Sequence, residues 1–135
     1  MKVVLDTNVL VSGMFWTGPS NQNLQAWISG SLVLMYTEEI LNEYTNVVER
    51  YQDLYTRVDG RAVLRLVGFS GHRVDSLPLE KQVCADPDDD KFNACALAAK
   101  CRVIISGDRH LLDVDGYESF KVMNPRSFVD KFLSH

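Results

Sequence analysis

The sequence has no apolar run approaching the ~20 residues that a membrane helix needs. Its first residues, a single Lys2 ahead of a short apolar stretch and then Asp6, do not make a signal peptide. A cytoplasmic protein without membrane contact is therefore expected. Cysteine is scarce. Cys84, Cys95 and Cys101 show no Cys-x-x-Cys spacing, and an odd number in apolar contexts predicts reduced core thiols. His72, His110 and His135 stand at no ligand spacing to them, which excludes zinc of the structural type. Also missing are a Gly-rich phosphate loop, a dinucleotide fingerprint and a nucleophilic Ser or Cys motif. Positive charge is not in excess either. Fourteen Lys and Arg against 18 Asp and Glu give a net charge of -4, so no global field draws nucleic acid. Repeats, linkers and low-complexity segments are absent.

What is present is an ordinary globular composition, 46% hydrophobic and 24% charged, which predicts one domain over residues 1–135. Lys2–Leu5 is a short β-branched run and reads as a buried strand. Asn8–Phe15 reads as a short helix ended by Gly13 or by the Thr17-Gly18-Pro19 turn. Ser20 is the expected N-cap of a helix to Ser29, with Leu24, Trp27 and Ile28 on one face. Leu32–Tyr36 is a second strand. Thr37 caps the next helix, whose stripe is Ile40, Leu41, Tyr44, Val47 and Val48. Asp59 caps another, to about Phe69. Arg73–Leu77 and Gln82–Ala85 are weak strand candidates. Asp88–Lys100 is an alanine-rich helix with Phe92, Cys95, Ala96 and Ala99 inward. Arg102–Ser106 is a strong strand, Arg109–Leu112 a helical turn and Ser119–Met123 a last strand. Pro125 starts a terminal helix. Strands alternating with helices predict an α/β fold with a mainly parallel sheet and helices on both faces.

Ligands bind such sheets outside the carboxyl ends of the strands. Asp6 and Asp108 fall at such ends, and Asp86-Pro87-Asp88-Asp89-Asp90 follows a strand candidate. Glu43 lies at the edge of a helix stripe after the second strand. Each acid has a structural explanation: Asp6, Asp89 and Asp90 as helix caps or dipole partners, Asp108 as a turn residue, Glu43 as a solvated glutamate. Against these stands their placement at matching topological points. Four acids in five residues also exceed what capping needs. Converging carboxylates repel unless a cation or proton sits among them. Oxygen donors without His or Cys select Mg²⁺ or Mn²⁺. One such ion, or two ~4 Å apart, suits phosphodiester hydrolysis.

Four blocks carry a family resemblance: Leu5-Asp6-Thr7-Asn8-Val9-Leu10, Glu38-Glu39-Ile40-Leu41-Asn42-Glu43-Tyr44, Asp86-Pro87-Asp88-Asp89-Asp90-Lys91-Phe92 and Ile105-Ser106-Gly107-Asp108-Arg109-His110-Leu111-Leu112. In this order and spacing the chain resembles the PIN (PilT N-terminus) domain family, in particular its compact prokaryotic branch of toxin components. The resemblance implies a three-layer α/β/α sandwich of flavodoxin-like type. It also implies a Mg²⁺- or Mn²⁺-dependent ribonuclease acting on single-stranded RNA. It carries the catalytic acids to Asp6, Glu43, Asp89 and Asp108. Of these, Asp6, Asp89 and Asp108 hold metal, and Glu43 acts through a water or a second metal. Asn8 is implied to orient Asp6, and Ser106 to stand beside Asp108. Which of Asp86, Asp89 and Asp90 points inward stays open, with spacing to Ala96-Leu97 favouring Asp89. Asp113 and Asp115 are candidates for a fifth acid. A homodimer and an antitoxin protein are further implied partners.

Lys91, Arg109 and His110 adjoin the acidic motifs and are the expected RNA contacts. From Arg50 to Arg73, five arginines (50, 57, 61, 65, 73) outnumber two acids, Asp53 and Asp59, a local excess of three. Phosphate contact is one explanation; a solvated helix face is the simpler one, since three arginines on a face are ordinary. Trp27 is expected in the core and Trp16 at a lid or interface. Two other functions compete. One is a phosphatase of the haloacid dehalogenase type, suggested by Gly107-Asp108 and Asp113, although Asn8 stands where that chemistry needs its general acid. The other is an RNA- or protein-binding module without turnover.

Overall fold

The computed structural model describes residues 1–79, 81–114 and 119–133. Five strands, β1 (Lys2–Leu5), β2 (Val33–Tyr36), β3 (His72–Arg73), β4 (Val103–Ile105) and β5 (Lys121–Met123), form one sheet in the order β3-β2-β1-β4-β5. Every pairing is parallel. The α/β architecture with PIN-like layering expected from the sequence is the one observed. Parallel strands need crossovers, and helices supply them. These are α1 (Thr7–Phe15), α2 (Pro19–Ile28), α3 (Glu38–Leu54), α4 (Gly60–Ser70), α5 (Asp90–Ala99), α6 (Arg109–Leu112) and α7 (Pro125–Phe128).

The central strands are the most apolar and the most buried. Val3, Val4 and Leu5 of β1 and Val103, Ile104 and Ile105 of β4 all lie in the core. Their register, Leu5 opposite Ile105, sets the next residues of both strands side by side at the carboxyl edge. Against these strands lies α5, whose Phe92, Cys95, Ala96 and Ala99 are buried as their periodicity predicted. Small side chains there let the helix approach the sheet. Burial pushes the Cys84 and Cys95 thiols up to about 12 and Cys101 up to about 11, so all three are inert core thiols.

Helix α3 starts where its capping residue says. The Thr37 hydroxyl accepts from the Ile40 amide at 3.3 Å, and Glu38 and Glu39 sit in the first turn. Ile40, Tyr44 and Val48 are buried, with Leu41 and Val47 flanking them. The Asp59 carboxylate likewise caps α4, at 3.1 Å from the Ala62 amide. The Tyr44 hydroxyl donates to the Leu5 carbonyl, pinning α3 to the last residue of β1.

Several expected boundaries are corrected. For helix α1 the later of the two expected ends is the observed one: it runs through Gly13 to Phe15, and Gly13 serves packing instead of termination. A Cβ there would meet the Ser20 carbonyl oxygen at 2.8 Å, so its absence lets α2 pack closely. Helix α2 is preceded by Gly18, at φ +125°, with Pro19 as its first residue; Ser20 is inside the helix. Ile28 is exposed, while Leu24 and Trp27 are buried. The strand expected over Arg73–Leu77 is the two-residue β3. Gln82–Ala85 is not a strand, because the amides of Val83 and Cys84 are taken by the Asp90 side chain. Asp88–Lys100 splits into a 3₁₀ turn over Pro87–Asp89 and α5. After α7 the chain continues in a π-helical turn, Val129–Leu133. No helix among the described residues is long and apolar enough to cross a membrane.

Candidate metal centre

The site grows out of the register between β1 and β4. Directly after Leu5, the Asp6 amide donates to the Ile105 carbonyl at 3.0 Å, so Asp6 is held by backbone before its side chain does anything. The next residue on the neighbouring strand is Ser106. Its hydroxyl donates to Asp6 Oδ2 at 2.7 Å and accepts from the Asp108 amide at 2.9 Å. One buried hydroxyl thus fixes both the first carboxylate and the loop that carries the last one. Asp108 in turn caps α6, accepting from the His110 amide at 2.8 Å.

Asp6 is only 4% exposed. Its pKa is raised to about 6, chiefly by burial and also by the negative charges of Asp108 and Asp89, against the Ser106 hydrogen bond. Asp89 is also raised, by burial, by Asp108 and by Asp86, with His110 opposing. The three acids Asp6, Asp89 and Asp108 therefore share one electrostatic environment. Asp89 Oδ2 is buried and accepts no hydrogen bond; its nearest positive-capable neighbour is His110 Nδ1 at 3.5 Å. The same imidazole nitrogen is 3.7 Å from Asp108 Oδ1. Asp86, Asp89 and His110 each offer a ligand atom within 4.8 Å of the others. An orphaned buried carboxylate oxygen among mutually repelling acids fits a divalent cation.

The run Asp86–Asp90 divides its labour. Asp86 accepts from the Asp88 amide at 3.0 Å and opens the 3₁₀ turn. That turn aims Asp89 toward Asp108. Asp90 points elsewhere: its two oxygens accept from the Cys84 and Val83 amides at 2.7 and 2.9 Å. It staples the loop before the turn, so its expected supporting role at the metal is replaced by a role in the scaffold.

Glu43 reaches the edge from α3, placed there by its neighbour Tyr44. Its Oε2 accepts from the Thr7 hydroxyl, and its Oε1 is 2.7 Å from the Lys91 ammonium. Lys91 also contacts Asp88 Oδ2 at 3.0 Å and donates to the Asp88 carbonyl at 2.9 Å. Its side chain is 5% exposed. Burial alone would lower its pKa, but the hydrogen bonds and charges of Glu43 and Asp88 hold it above the usual lysine value. Lys91 is thus corrected from an RNA contact to an internal cation, since its charge is already enclosed by two acids.

Two more expectations change. Asn8 is exposed, and the side chain that donates to Asp6 is Ser106, not Asn8. Asp113 is exposed and follows α6 without a bond to the acidic group; Asp115 lies outside the described residues. Arg109 and His110 are exposed at the rim. His110 had no recognisable ligand spacing in sequence, because its partners arrive from a turn more than 20 residues earlier. The hydroxyl of Thr7 and the role of Asp88 were also not read from the sequence; adjacency to Asp6 was the one available hint for Thr7. Among the arginines, Arg61 pairs with Glu49 at 2.6 Å, Arg65 with Asp59 at 3.7 Å and Arg73 with Glu38 at 3.2 Å. Those pairs favour the solvated-face reading for that stretch. Trp16 is 43% exposed and packs edge-on against Tyr51 and Tyr55.

No curated protein matches the chain. A family model described as "PIN domain" matches residues 2–110, a span that contains Asp6, Glu43, Asp89, Asp108 and His110. The chain belongs to the PIN domain family, whose fold is of the nuclease type.

Proposed function

We propose that this PIN-domain protein is a Mg²⁺- or Mn²⁺-dependent endoribonuclease that hydrolyses single-stranded RNA, and that it serves as the toxin of a toxin–antitoxin pair. The observation that carries the nuclease reading is the buried Asp89 Oδ2, which accepts no hydrogen bond, among the raised carboxyls of Asp6 and Asp89. Such a site carries more negative charge than the His110 imidazole can offset, and a divalent ion would supply the balance.

Under this reading Asp6, Asp89 and Asp108 hold the ion, and Asp86 and His110 offer further ligand atoms beside Asp89. The bound ion supplies Lewis acidity toward the phosphate and the attacking water. The chain's own residues do the rest. Ser106 keeps Asp6 in one orientation and ties it to the Asp108 loop. Tyr44 fixes the height of α3, and so of Glu43, above the sheet edge. Arg109, exposed beside Asp108 and free of ion pairs among the described residues, contacts the scissile strand. Its replacement by alanine weakens RNA affinity and flattens the salt dependence. RNA, an antitoxin protein and a second copy of the chain are the proposed partners, in the cytoplasm. A gene for a small protein beside this one would support the toxin role.

The test is cleavage of a mixed single-stranded RNA pool with Mg²⁺ or Mn²⁺. Wild type cleaves, while Asp6→Asn and an EDTA-treated sample do not. Equal cleavage by an Asp6→Asn, Asp108→Asn double variant would sink the metal mechanism. Failure of wild type to bind Mn²⁺ at all would hand the reading to a binding module.

A further inference from the structure

Glu43 is the acid that the family resemblance assigns to a second metal or a bound water, yet here each of its oxygens already has a donor from the chain. Oε2 is held by Thr7 and Oε1 by the Lys91 ammonium. Lys91 is enclosed on its other side by the carboxylate and the carbonyl of Asp88. This is a closed circuit: a hydroxyl, two carboxylates and one buried ammonium that both carboxylates share. By contrast, Asp89 Oδ2, on the turn just before Lys91, is buried without a hydrogen bond, and its neighbour is the His110 imidazole at 3.5 Å.

We infer that Lys91 occupies, as a resident cation, the place beside Glu43 that a second divalent ion would take, so that the centre binds a single metal ion. The inference rests on the metal-dependent reading of the same site. Its physical basis is exclusion by like charge. A dication ligated by Glu43 would lie within ion-pair range of a buried ammonium, where low dielectric strengthens repulsion. Displacing the ammonium into water would strip Asp88 of its partner and drag the stem of Lys91 out of its buried place beside Phe92, whose ring centroid is 5.4 Å from Nζ. Lys91 is a positioning residue on this view. It orients Glu43 and sets the number of metals, without touching substrate.

Mn²⁺ titration of the full chain, by calorimetry and by the paramagnetic signal of free Mn²⁺, reads this directly. Wild type binds one Mn²⁺ per chain. Lys91→Met, which keeps the length of the stem and removes the charge, binds two, and adding Glu43→Gln returns the count to one. Lys91→Arg stays at one. A residue that merely supports folding would not add a metal when replaced. Two ions in wild type, or one ion in folded Lys91→Met, would overturn the inference and leave the metal reading standing. No binding by wild type would overturn both. Should Lys91→Met not fold, Lys91→Gln replaces it, and the wild-type count alone still separates one ion from two.

Discussion

Glu43 and Asp89 both reach the carboxyl edge of the sheet, but one is electrically finished and the other is not. Glu43 has a donor on each oxygen, one of them a buried ammonium, and keeps 27% of its side chain exposed. Asp89 is 15% exposed and has one oxygen with no hydrogen bond. The difference arises from which element delivers each acid. Helix α3 brings Glu43 against Thr7 and the first turn of α5, where Lys91 waits. The 3₁₀ turn brings Asp89 against Asp108 and Asp86, which only add negative charge. Counting acids at a sheet edge therefore overstates the demand for metal; counting acids without a counter-charge locates it.

The largest expected effect comes from removing the unneutralised side. Asp6→Asn or Asp108→Asn lowers RNA cleavage by more than about 100-fold, since loss of even a supporting partner at a metal site costs 10–100-fold. Comparable loss from Asn8→Ala would contradict the exposed position of Asn8. A second test uses protons as competitors. The pKa of Asp6 rises from the ordinary 3.8 to about 6 on folding. The folded chain thus holds this proton more tightly than the unfolded chain. The stability it contributes is full below 3.8 and is lost as pH rises through about 6, a loss of roughly 3 kcal/mol. A divalent ion competes for the same carboxylate, so Mn²⁺ affinity falls by about tenfold between pH 7 and pH 5. Metal-dependent stabilisation shrinks over the same interval, as thermal melts with and without Mn²⁺ would register. A pH-independent affinity would show that Asp6 is not a ligand.

The fold and the site differ in how much of them can be read from the chain. Buried strands such as Val103–Ile105, the Thr37 and Asp59 caps and the inward face of α5 follow from local pattern and local hydrogen bonds. So does the placement of Asp6 and Asp108 at strand ends. What local pattern cannot give is the partner of a side chain that comes from a distant element. Lys91 beside Asp90 reads as an RNA contact, and only the approach of α3 makes it an internal cation. Asp90 and Asp89 are told apart in sequence only by their spacing to Ala96-Leu97; the loop before them decides their roles. His110 joins the centre because the 3₁₀ turn faces α6. The apparent strand at Gln82–Ala85 failed for the same reason, since a carboxylate took the amides that a strand would have used. A smaller local test of this linkage is Tyr44→Phe. It leaves the buried Leu5 carbonyl without the hydroxyl and costs about 1–3 kcal/mol in denaturant unfolding.

Asp89 and Asp90 provide the finest discrimination, because they are adjacent, chemically identical and assigned opposite work. Asp90→Asn removes one of two acceptors for the Val83 and Cys84 amides and weakens the other. It should cost roughly 1 kcal/mol of stability and leave the Mn²⁺ affinity of the folded chain close to wild type. Asp89→Asn removes a charge that burial and two neighbouring acids already oppose. Without metal the variant should be as stable as wild type or slightly more so, since the folded state no longer has to hold that charge against Asp108 and Asp86. Its Mn²⁺ affinity should drop instead. Paired denaturant and Mn²⁺ titrations on the two variants therefore give crossed results if the 3₁₀ turn sorts the acids as described. If both variants lost stability and kept affinity, Asp89 would be a scaffold acid like its neighbour, and the unpartnered oxygen would have no bearing on metal binding.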